Sequence, residues 1–98
     1  MNFAVRVRPD AELDLADAAL WYEDQKTDLG HQFLNEVLSV FSQLGSAPLL
    51  HPVIHKNTHR ALLQRFPFAI YYRVEAAAVV VIAVMHGSRH PYRWKGRI

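Results

Sequence analysis

The run "AAAVVVIAVM", Ala76 to Met85, limits what this chain can fold into more than any other segment. Ten consecutive apolar residues without alternation read as a strand covered on both faces, or at least central in its sheet. The run cannot cross a bilayer, which takes about 20 apolar residues. Ahead of it, "FAIYYRVE" alternates, with Phe68, Ile70, Tyr72 and Val74 facing one way. Pro67 separates that strand from "HRALLQRF", a third candidate. "EAAA" between the last two strands is poor turn chemistry.

The first half reads differently. In "NFAVRVR", Phe3, Val5 and Val7 share one face of a strand and Arg6 and Arg8 the other. Pro9 suits the first turn of a helix, and Asp10 and Glu12 suit the positive end of its dipole. That helix would turn Leu13, Ala16 and Leu20 inward, with Leu15, Ala19 and Tyr22 beside them. "KTDLG" is a turn, with Asp28 as the expected N-cap of a second helix. Leu29, Phe33, Val37, Phe41 and Leu44 give that helix the cleanest apolar period in the chain, and Gly45 and Pro48 should end it. Helices joined by so short a turn form an antiparallel hairpin. "APLLHPVIHKNTH" reads as a loop. Its histidines His51, His55 and His59 would make a metal face only on a helix, which Pro48 and Pro52 oppose, so no metal or cofactor is expected. The order β-α-α-β-β-β predicts an α+β fold, a helical hairpin on one face of a mainly antiparallel sheet, in a single domain over residues 1–98.

Charge divides as the elements do. Residues 1–49 hold three Lys/Arg and eight Asp/Glu, a net of −5, and residues 50–98 hold eight Lys/Arg and only Glu75, a net of +7. A fold that separates the halves would carry a basic face suited to an anionic partner. Cysteine is absent, Arg6 and Arg8 interrupt any signal-peptide core, and the expected location is cytoplasmic, without membrane contact.

The chain closes on "HGSRHPYRWKGRI". His86, Arg89 and Tyr92 fall within seven residues, at the end of the apolar strand. A base, an acid and a charge stabiliser are what RNA cleavage by the 2′-hydroxyl requires. Arg60, Arg65, Arg73, Arg93, Trp94, Lys95 and Arg97 would extend a target-binding surface around them. The plainer alternative has Trp94 and Tyr92 capping the sheet and Arg89 pairing with the acidic helices.

"RALLQRFPFAIYYRV", the apolar strand and "HGSRHPYRW" with Arg97, in that order, resemble the RelE/ParE superfamily of toxins from bacterial toxin–antitoxin (plasmid stabilisation) modules. "ELDLADAALWYE", "LGHQFLNEV" and "HPVIH" resemble that family's helical hairpin and the following loop. The resemblance implies a cognate antitoxin, assembly into a higher-order toxin–antitoxin complex, and one of two targets. ParE-like members inhibit DNA gyrase and are not enzymes of RNA cleavage; RelE-like members cut messenger RNA in the ribosome. RelE-like nucleases typically place an arginine in the middle strand, where this chain has Ala69, and a basic residue at the end of the last strand, where it has His86. Tyr92 matches their tyrosine, and Lys56 is the one lysine in the loop before the sheet. The wording is closer to the ParE-like branch, so gyrase inhibition ranks first and RNA cleavage second, with a degenerate non-toxic interaction protein as a third class.

Overall fold

The computed structural model describes residues 2–88 and 91–98. The elements are β1 (Ala4–Val7), α1 (Pro9–Gln25), α2 (Leu29–Ser46), β2 (Val53–His55), β3 (Thr58–Leu62), β4 (Phe68–Glu75), β5 (Ala78–His86) and α3 (Tyr92–Lys95). The strands form one five-stranded sheet in the order β1-β5-β4-β3-β2. β1 runs parallel to β5 and the other neighbours are antiparallel. The α+β order holds, with two additions. Val53–His55, expected as loop, is a short edge strand turned back on β3 through Lys56 and Asn57. Lys56 takes a φ of 50° to close that turn. The "YRWK" stretch of the tail forms one helical turn.

α1 and α2 pack on one sheet face. Phe33, Val37, Phe41 and Leu44 of α2 are buried against Ile70, Tyr72, Val79 and Val81, as the spacing predicts. The inward face of α1 differs from expectation. Ala11, Ala18 and Tyr22 are buried, with Leu15 and Ala19 beside them, whereas Leu13, Leu20 and Trp21 are 64%, 65% and 59% exposed. Tyr22 sets this rotation: its ring joins Phe33, Phe66 and Phe68 in an aromatic cluster with centroid distances of 4.8–5.9 Å. The small Ala11 and Ala18 on the same face let α1 lie close to its neighbours, and Leu13, Leu20 and Trp21 are left outside.

The start of α2 is also a correction. Asp28 lies at φ 75°, and its side chain makes no capping bond. An N-cap needs extended backbone to aim its oxygen at the first turn. Glu23 serves instead, accepting from the N–H of Asp28 (2.8 Å) and of Gly30 (3.0 Å). At the far end the helix runs through Gly45 to Ser46. The Gly45 carbonyl accepts the Phe3 N–H at 2.7 Å, which brings β1 against the last turn.

β5 explains the unpatterned run. Tyr71 pairs with Ala83 but Tyr72 with Val81, so Ile82 is an extra residue, a bulge. The bulge shifts the side-chain phase: Val79, Val81 and Val84 face the helices, while Ile82, Ala83 and Met85 join Ala69, Tyr71 and Trp94 on the other face. The β4–β5 turn places Ala76 at φ 53°, a left-handed conformation that disfavours any side chain. Ala76→Gly should therefore stabilise the protein by about 1 kcal/mol, read as a higher urea midpoint with unchanged slope.

Candidate functional site

His51, His55 and His59 do not converge on one point. The ring of His59 stacks on Tyr72 (4.9 Å, 13°) on the helix side, and its Nδ1 lies 2.8 Å from the His51 carbonyl. Burial, and then the neighbouring His59, lower the pKa of His51. His55 faces the other way, edge-on to Trp94 at 5.9 Å. Among the described residues no three of His, Cys, Asp and Glu are grouped to hold a metal.

The tail folds back across the sheet and is fixed at two points. Trp94 is 5% exposed and stacks on Tyr71 with centroids 4.7 Å apart and planes 17° apart. Arg97 then reaches α1. Its guanidinium donates to both oxygens of Asp14 (2.6 and 3.0 Å) and to the Ile82 carbonyl (3.2 Å), and lies 3.4 Å from Asp10. The Asp14 hydrogen bonds raise the pKa of Arg97, burial opposes them, and the charges of Asp14 and Asp10 add to the rise. Asp14 also accepts the Val84 N–H at 3.0 Å, beside the bulge that turns β5. The Arg97 carbonyl in turn accepts from Arg8 at 2.9 Å. An arginine of the tail does pair with the acidic helices, and it is Arg97. Arg89 lies outside the described residues.

Between this tail and α1 runs an open groove of about 1250 Å³. Asp14, Asp17 and Trp21 form one wall, and Tyr92, Arg93 and Arg97 the other. Phe68, Met85, His86 and Ser88 line it at the end of β5. The Ser88 N–H donates to Nδ1 of His86 at 3.1 Å, and the Ser88 hydroxyl lies 2.8 Å from the same atom. A backbone N–H can only donate, so Nδ1 is an acceptor and the neutral ring carries its proton on Nε2. His86 therefore offers the groove a donor. The ring also packs edge-on to Phe68 at 5.4 Å. Tyr92 is 62% exposed, with the Arg93 guanidinium 5.9 Å from its ring centroid.

The remaining candidates separate. Arg60 and Arg73 lie on the sheet face away from the helices, and Lys95 borders it with its ammonium 5.7 Å from the Trp94 ring. Arg65 belongs to the helical side: its N–H faces the Glu36 carboxylate (3.3 Å) and its guanidinium donates to Gln32 at 2.7 Å. The structure thus brings His86, Tyr92, Arg93 and Arg97 to one groove and leaves Arg60, Arg65, Arg73 and Lys95 outside it. The groove's α1 wall escaped sequence reasoning. The Ala11, Ala18, Tyr22 spacing of 7 and 4 was the signal that turns Trp21 outward.

Residues 5–91 match the family described as the ParE toxin of the type II toxin–antitoxin system parDE. The chain belongs to the ParE toxin family. Among curated proteins none matches it. Solved structures share its fold. A chain of the chromosomal ParDE toxin–antitoxin system of Pseudomonas aeruginosa aligns with a TM-score of 0.63 and 16% identity, covering 86% of this chain and 95% of that one. A chain of the RelBE2 toxin–antitoxin complex of Mycobacterium tuberculosis gives 0.61 and 20%, covering 88% and 99%. The free Escherichia coli toxin RelE, as a double arginine mutant, gives 0.65 and 11%, covering 99% and 94%. This ParE-family chain is a toxin of the type II class, built on a fold common to both branches of the superfamily.

Proposed function

We propose that this toxin inhibits DNA gyrase in the cytoplasm and is neutralised by a cognate antitoxin encoded beside it. The observation that carries the ranking is Ala69. RelE-like nucleases resemble this chain with an arginine at that place, yet Ala69 is 0% exposed, packed with Tyr71, Met85 and Trp94. A guanidinium there would have to displace the Trp94 cover to reach solvent. His86 adds support, because its Nδ1 already accepts the Ser88 N–H. RNA cleavage is the second reading, favoured by His86 and Tyr92 lining one groove.

The antitoxin reading draws on the apolar stripe of α1. Leu13, Leu20 and Trp21 are exposed next to a groove with an acidic and a basic wall, which suits an amphipathic segment. The solved relatives from P. aeruginosa and M. tuberculosis are toxin–antitoxin systems. Expression of the toxin alone should arrest growth with filamentation and a DNA-damage response, and the neighbouring gene should relieve both. Growth arrest with messenger RNA cut at ribosome positions would put the nuclease reading first, and unimpaired growth would make the chain a non-toxic interaction protein.

A further inference from the structure

The fold separates the charges that the sequence divides between its halves. Eight of the nine carboxylates lie on α1, α2 and the turn between them, and Glu75 alone belongs to the sheet. On the sheet face turned away from the helices, cations line up across the strands. Arg6 of β1 pairs in register with Val80 of β5, and Val80 with Arg73 of β4. Residues paired in a ladder share a face, and strands are about 4.8 Å apart, so Arg6 and Arg73 stand roughly 10 Å apart. Arg60 of β3 pairs with Tyr71, two residues from Arg73 on the same face, and its charge lies close enough to oppose the rise that burial gives the Tyr71 pKa. Lys56 and Lys95 stand near His55 at the β2 end, close enough that, after burial, their charges lower its pKa. Arg6, Lys56, Arg60 and Lys95 are exposed, and Arg73 is held at 2.8 Å by Glu75, the one carboxylate of the face.

We propose that this face binds the phosphate backbone of double-stranded nucleic acid. Arginine forks match phosphate oxygens, and three of these five cations are arginines. The aromatic residues decide between duplex and single strand. Single-strand binders offer exposed rings on which bases stack. Here Tyr71 and Trp94 stack on each other and are 5% exposed each. A duplex keeps its bases stacked and asks only for contacts to its backbone. An acidic peptide would gain from side-chain pockets or an added strand; Arg6, Arg60 and Arg73 stand instead on the flat of the sheet, with Lys56 in the β2–β3 turn and Lys95 on α3 beside it. The inference deepens the gyrase reading, since gyrase works on duplex DNA and this face would let the toxin engage enzyme and DNA together.

The test is fluorescence anisotropy of the purified, antitoxin-free toxin with a labelled duplex, between about 50 and 200 mM salt. Binding should be independent of sequence and fall steeply with salt. Arg60→Gln and Lys95→Gln, at exposed positions, should each reduce the salt slope by about 0.9 and weaken binding several-fold, with unchanged melting temperature. Arg65→Gln, on the helical side, should change neither. The matching single strand and polyglutamate should compete poorly. Equal competition by either, or slopes unmoved by Arg60→Gln and Lys95→Gln, would overturn the proposal. Gyrase inhibition by a toxin that does not bind duplex would sink this proposal and leave the gyrase reading intact; duplex binding without inhibition would do the reverse.

Discussion

Replacing Trp94 with alanine should cost about 3–5 kcal/mol of folding stability, the range for removing a large aromatic side chain from a packed site. The ring is 5% exposed and closes the second, smaller core over Ala69, Ile82, Ala83 and Met85. Its loss removes the Tyr71 stack and uncovers apolar residues of the central strands. It also frees α3, so that Arg97 must hold Asp14 without the anchor three residues before it. Urea unfolding should show a much lower midpoint with the slope kept. Trp94→Phe, which retains a ring for Tyr71, should lose clearly less. A loss below about 1 kcal/mol for the alanine variant, the size of an ordinary surface change, would mean that the tail is not part of the core.

Gly30→Ala should be comparably severe for a different reason. A Cβ at Gly30 would stand 2.3 Å from the Ala19 carbonyl oxygen and 3.1 Å from Glu23. The first obstacle is backbone, so no side-chain rotation relieves it; α1 and α2 must separate. Overpacking costs about 1–3 kcal/mol where a core can adjust, and the upper end or beyond applies when two helix backbones must move apart. The Glu23 bonds to the N–H groups of Asp28 and Gly30 would be lost with the displacement. Thermal unfolding should register a fall of several degrees for each kcal/mol in a chain of this size. A variant that melts with the native protein would show that the hairpin does not need this close approach.

Much of the architecture was legible in the sequence because apolar period and burial agree there. The Phe33, Val37, Phe41 and Leu44 series belongs to a helix with one buried face, and Phe68, Ile70, Tyr72 and Val74 all join the core beneath the helices. The period fails where tertiary contacts decide. Leu13 and Leu20 look inward by hydropathy, but one aromatic, Tyr22, sets the rotation of α1. The bulge at Ile82 is invisible in a run where every residue is apolar, yet it assigns each of those residues to its face. β2 is three residues long and sits between prolines and a turn, so it carries no pattern of its own.

The tail was half legible. That bases and aromatics gather there is plain from "HGSRHPYRWKGRI". What each one does depends on partners more than 80 residues away: Arg97 on Asp14, and Arg8 on the Arg97 carbonyl. These contacts divide a segment of uniform appearance into an anchor, Trp94, a clasp, Arg97, and the groove-lining His86, Tyr92 and Arg93. The groove needs α1 as its other wall, and no local signal joins residues so far apart in sequence.

The measurement that bears most directly on the account is supercoiling by purified gyrase in the presence of the purified toxin, run beside a reconstituted translation reaction. Inhibited supercoiling, relieved by the neighbouring gene's product, with messenger RNA left intact on the ribosome, is the predicted result. Full supercoiling activity together with ribosome-dependent cleavage of messenger RNA would contradict it.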